Sequence, residues 1–88
     1  MKNIKFCAGY YEWQVFADGE LIHAFNDFSE SITDDMTAET VAELVDDLIW
    51  NWQEDCRENG GYCPINTEEE RELATAMKTA ICEHYGVN

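Results

Sequence analysis

The sequence predicts an α+β fold, an N-terminal three-stranded antiparallel sheet with two C-terminal helices packed on one of its faces. Three observations carry that prediction. Aromatic and β-branched residues crowd the first 25 positions around an Asp18-Gly19 pair. An apolar stripe of helical period runs through residues 41–56. A second stripe begins just after Thr67-Glu68-Glu69-Glu70, a helix-start signature.

The elements follow in chain order. "NIKFCA" is a short strand, residues 3–8. "YYEWQVFADGELIHAF", residues 10–25, is a β-hairpin, because Asp-Gly suits the type I′ turn in which both central residues take positive φ. A simple two-residue loop sets Ala17 against Glu20, Val15 against Ile22 and Trp13 against Ala24. Tyr11, Trp13, Val15, Ile22 and Ala24 then share the core face, because side chains alternate along a strand. Glu12, Gln14 and His23 fall on the other face, with Phe16, Leu21 and Phe25 partly exposed there. "NDFSESITDD", residues 26–35, reads as a polar connector.

A helix is expected over about 37–58, with Thr37 as N-cap and Glu39 near the positive end of the helix dipole. Val41, Val45, Leu48, Trp52 and Cys56 form its apolar stripe, flanked by Leu44 and Ile49. Gly60-Gly61 stops it. "GGYCPIN" is a loop, and the second helix starts at Thr67, whose hydroxyl is expected to pair with Glu70 in a capping box. Leu73, Met77 and Ile81 form the second stripe, with Ala74 and Ala80 on its flanks, and Gly86 ends the helix.

At 88 residues the chain is expected to form one acidic domain, residues 1–88, with one modest core. Hydrophobic residues at 45% argue against disorder despite the charge. That charge is the dominant compositional fact: nineteen Asp and Glu oppose five Lys and Arg, a net of −14. It is also unevenly spread. Residues 1–26 hold Lys2, Lys5, Glu12, Asp18 and Glu20, a net of −1, whereas residues 27–88 hold sixteen acids against Arg57, Arg71 and Lys78, a net of −13. Such a surface repels nucleic acid and anionic membrane and attracts basic proteins. Acidity serves solubility too, but repulsion of this size works against the compact state, so solubility alone is a weak reason for it.

Other chemistries find little support in the residues. The first ten, "MKNIKFCAGY", lack a long apolar core, and nothing approaches a membrane span, which predicts a cytoplasmic protein with reduced cysteines. Cys56 and Cys63 miss the Cys-x₂₋₄-Cys spacing of zinc sites, and Cys82 and His84 point to different sides of a helix, so no metal or cofactor is expected. A Cys56–Cys63 disulfide is open to the spacing but disfavoured in a reducing compartment. No loop carries the calcium pattern. There is no nucleophile elbow, phosphate-cradling glycine loop or HExxH, and the prediction is that the chain is not an enzyme.

The acids of the first helix are more informative. Glu39, Glu43, Asp46, Asp47 and Glu54 fall within about 100° of arc, opposite the apolar stripe. Trp50 projects from the middle of that row. A row of fixed negative charge can meet the lysines and arginines that grip a phosphate backbone, and a tryptophan ringed by charge is a typical interface anchor. The competing reading is that Trp50 packs under the sheet, the connector or another subunit. Glu68, Glu69, Glu70, Glu72 and Glu83 of the second helix, with Asp27, Glu30, Asp34 and Asp35 of the connector, would extend the row into a negative wall, although the first-turn glutamates are equally explained by the helix dipole.

In size and charge the chain resembles the small acidic inhibitors made by phages and mobile elements: anti-restriction and anti-CRISPR proteins, many of which mimic DNA, and immunity proteins that neutralise nuclease toxins. The resemblance covers composition and not residues, so it transfers no site. The expectation is an inhibitor that occupies a basic nucleic-acid-binding protein, such as a nuclease or a CRISPR or restriction effector, through Glu39, Glu43, Asp46, Asp47, Trp50 and Glu54. The alternatives are a structural or adaptor module, which would dimerise through the mixed outer face of the hairpin, an immunity protein to a nuclease toxin, and a zinc-stabilised domain.

Overall fold

The computed structural model describes residues 3–9, 12–61 and 64–87. Three strands, β1 (Ile4–Ala8), β2 (Glu12–Ala17) and β3 (Glu20–Asn26), form an antiparallel sheet in the order β1-β2-β3. Two helices follow, α1 (Ala38–Glu58) and α2 (Thr67–Tyr85), as the α+β pattern predicts. Tyr11, expected on the core face, and Cys63, considered above as a partner of Cys56, lie outside the described residues.

Asp18 and Gly19 both take positive φ, 52° and 84°, the I′ geometry the sequence calls for. Asp18 also ties the turn to the start of β1. Its amide donates to the Asn3 carbonyl at 3.0 Å, and its carboxylate accepts from the Asn3 amide at 2.8 Å. The central strand β2 alternates cleanly: Trp13, Val15 and Ala17 are buried, whereas Glu12, Gln14 and Phe16 are half-buried.

The third strand departs from the expected register. Ala17 pairs with Glu20 and Phe16 with Leu21, but Val15 pairs with His23 and Trp13 with Phe25. Ile22 is the extra residue of a β-bulge, and one extra residue turns the rest of the strand over, because the side-chain period is two. His23 and Phe25, expected on the outer face, therefore point at the helices. Ala24, expected inside, lies outside opposite Gln14. The bulge exchanges a small apolar contact for two aromatic ones. Phe25 is buried, and the His23 ring stacks on Trp52 of α1 at 4.6 Å and 12°. Phe25 meets the same Trp52 edge-on at 6.1 Å.

On the adjacent strand of the same inner face, Trp13, the cross-strand partner of Phe25, stacks on Phe6 at 4.9 Å and on Phe28 at 5.8 Å, and meets His84 of α2 edge-on at 5.3 Å. Phe28 makes the connector more than a polar link. It is buried ahead of a 3-10 turn at Ser29–Ser31 and anchors the chain between sheet and helices. Ile65, in the loop between the helices, is likewise buried.

Helix α1 is capped by Thr37 as expected, and Thr40 makes the cap reciprocal. Thr37 accepts from the Thr40 amide at 3.4 Å, and the Thr40 hydroxyl accepts from the Thr37 amide at 2.8 Å. Its buried residues are Val41, Val45, Ile49 and Trp52, while Leu48 and Cys56 are half-buried, so the stripe centres nearer Ile49 than Leu48. Helix α2 is capped one residue earlier than predicted. Asn66, not Thr67, is the N-cap, and it exchanges hydrogen bonds with Glu69 at 2.8 and 2.9 Å. An asparagine is as good a cap as a threonine, and with Asn66 in that role Leu73, Met77 and Ile81 are fully buried. Gly86 closes α2 in the left-handed conformation.

The His23 environment gives a pH prediction. Burial holds its imidazole below the ordinary value of 6.5, and the Asp55 carboxylate pulls the other way. The folded chain thus prefers neutral His23. Its contribution is fully present above pH 6.5 and is lost as pH falls through the depressed folded value. Urea unfolding of wild type and His23→Gln at several pH values is expected to show the wild-type advantage shrinking from about pH 7.5 to about pH 5. Taking the difference cancels the carboxylate titration common to both, and a difference independent of pH would refute the assignment.

Candidate partner-binding face

The capped, 21-residue α1 is a rod about 32 Å long that buries one side against the sheet and α2. Its opposite side carries the predicted row. Glu39, Glu43, Asp46 and Asp47 are all exposed. Trp50 lies among them and is 58% exposed, one of two large apolar side chains left so open among the described residues, the other being Leu21. The same helix shows how differently two tryptophans are used. Trp52, two residues on and 200° around the helix, is 5% exposed between His23 and Phe25.

Glu54 is the weakest member of the row. Its carboxylate pairs with Arg57 at 2.9 Å, one turn along the helix, which offsets part of its charge. The proposed wall is also shorter than the sequence implies. Glu68 and Glu83 are exposed, Glu70 and Glu72 are half-buried, and Glu69 is buried in its cap. In the connector, Asp27 accepts from the amide and hydroxyl of Ser29. Asp35 accepts from the Thr33 hydroxyl at 2.6 Å, which, with a backbone hydrogen bond, holds its carboxyl below the usual range.

Trp50 borders a cleft of about 230 Å³ between the two helices, lined by Asp46, Ile49, Gln53, Glu70, Arg71 and Ala74 as well. The participation of Glu70, Gln53 and Arg71 was not legible beforehand, because nothing in either helix's own pattern says which flanks meet. A second cleft of about 660 Å³ runs between the 3-10 turn and the end of α2 and brings in Asp34, Thr33, Thr37 and Tyr85. Among the described residues its lining holds neither histidine nor cysteine, and Asp34 is the one acidic side chain there.

Among the described residues, no group of three or more His, Cys, Asp or Glu is placed to hold a metal ion, and Cys7, Cys56 and Cys82 are free thiols. No helix among them is long and apolar enough to cross a membrane. Comparison of the chain with protein-family models, with curated proteins and with solved structures finds no match.

Proposed function

We propose that the chain is a small acidic inhibitor that binds a basic nucleic-acid-binding protein in the cytoplasm and excludes nucleic acid from it by competition. The observation that carries this reading is the exposed Trp50 at the centre of a helix face that presents Glu39, Glu43, Asp46 and Asp47 and buries none of them. Fixed carboxylates on one rigid rod offer a partner's Lys and Arg side chains the charge they would otherwise find on phosphates. The charge steers association and makes it salt-sensitive, while the indole supplies apolar contact that charge alone lacks. The net charge of −14 repels nucleic acid, which favours a protein target.

The test immobilises the chain, passes a low-salt lysate of cells that hold such effectors over it, and asks whether retained proteins bind nucleic acid and lose it when the chain is added. Absence of any nucleic-acid-binding protein, or capture without displacement, would overturn the proposal. With a partner in hand, Trp50→Ala is expected to weaken binding by about 2 kcal/mol, roughly thirtyfold. The same substitution should leave the urea midpoint within about 0.5 kcal/mol of wild type, because the side chain packs little within its own chain.

A further inference from the structure

We infer that the outer face of the sheet is a self-association surface, and that its occupant is a second copy of this chain. The face comprises two cross-strand rows, Lys5-Phe16-Leu21 and Cys7-Gln14-Ala24, ending at Glu12 and Asn26. Leu21 is 50% exposed, Lys5 and Cys7 are exposed, and Phe16 is half-buried without joining the core. The β-bulge at Ile22 sharpens this surface. It sends Phe25 and His23 inward and leaves Leu21 and Ala24 outside beside Phe16.

Charge selects the occupant. A chain of net charge −14 meets repulsion when two copies approach through their helical layers, where the connector and both helices hold sixteen of the nineteen acids. Among the described residues, Lys5 and Glu12 are the charged side chains of the outer sheet face, one of each sign, so two such faces meet without net repulsion between them. A two-fold axis lying between the faces and perpendicular to the strands sets the Lys5 end of one copy beside the Glu12 end of the other, the self-complementary arrangement that a closed dimer needs. Face-to-face sheets pack about 10 Å apart, which seats Phe16 and Leu21 between the layers. The acidic helices then point away from each other on the outside of the pair, leaving the Trp50 faces free.

The salt dependence has a definite sign. The molecule is 25 Å across its shorter axes, so the two helical layers lie farther apart than the Debye length of about 10 Å at 0.1 M salt, and added salt screens what repulsion remains. Dimerisation should therefore strengthen with salt, whereas binding to a basic partner should weaken with it. The two readings can thus fail separately.

The experiment is sedimentation velocity on the full chain over a range of concentration, at low and at high salt. Wild type is expected to form a dimer that tightens with salt. Leu21→Glu and Phe16→Glu should each weaken it by at least about tenfold, and Trp50→Ala should not change it. Circular dichroism shows whether each variant is folded, and Leu21→Glu, at a half-exposed position beside the turn, keeps the test decisive should Phe16→Glu unfold. A wild-type monomer at every concentration and salt, an undiminished dimer in a folded Leu21→Glu, or a dimer lost in Trp50→Ala would each overturn the assignment.

Discussion

The triple substitution Glu43→Lys, Asp46→Lys and Asp47→Lys is expected to weaken binding to a basic partner by about a hundredfold or more at low salt. Each reversal replaces an attraction with a repulsion. At roughly 1 kcal/mol per exposed charge contact, three of them approach 3 kcal/mol. The loss should fall mainly on the association rate and should shrink as salt rises, because these carboxylates are exposed and screened. The fold should tolerate the change. Because positions 43, 46 and 47 reverse together, their i,i+3 and i,i+4 pairs stay like-charged at an unchanged cost of a few tenths of a kcal/mol each, while the net charge of −14 moves six units toward zero. The urea midpoint should therefore hold or rise slightly. Surface plasmon resonance at two salt concentrations reads both the rate and its salt slope. Unchanged affinity for a confirmed partner would remove this face from the mechanism.

Trp13→Ala is expected to be the most damaging single truncation in the sheet. Trp13 joins three parts of the chain. It stacks on Phe6 of β1 and on Phe28 of the connector, and meets His84 of α2 edge-on. Truncating such a side chain costs about 3–5 kcal/mol. An 88-residue domain has roughly 4–13 kcal/mol in total. The urea midpoint should fall by about 2 M with little change in slope. A fall under about 0.5 M would mean that the aromatic cluster contributes far less than its geometry implies. Set beside Trp50→Ala, the comparison is direct: the same residue type is removed, with a large effect on stability in the sheet and almost none on the helix surface.

Local chemistry made much of this architecture legible. Asp18-Gly19 specifies its own turn, because few residues tolerate positive φ twice in succession. The stripes through Val41, Val45 and Trp52, and through Leu73, Met77 and Ile81, name the buried sides of both helices, since a helix's faces are fixed by its period alone. For the same reason the exposure of Glu39, Glu43, Asp46 and Asp47 follows from their spacing, opposite that stripe. The cap of α2 was misplaced by one residue, because Asn66 and Thr67 are both good caps and each has a glutamate three positions on.

Tertiary contact decided the rest. A bulge adds one residue to one strand, and no local signal at Ile22 marks it. It is favoured because it brings His23 and Phe25 onto Trp52, a residue of a helix about thirty positions away. Phe28 looked like part of a polar connector until Trp13 supplied a ring to stack on. Periodicity set Trp50 apart from the buried stripe, but a tryptophan on a polar face can still be covered by a neighbouring element. Only the way α2 packs against α1, leaving a shallow cleft beside the indole without closing over it, left Trp50 open to solvent.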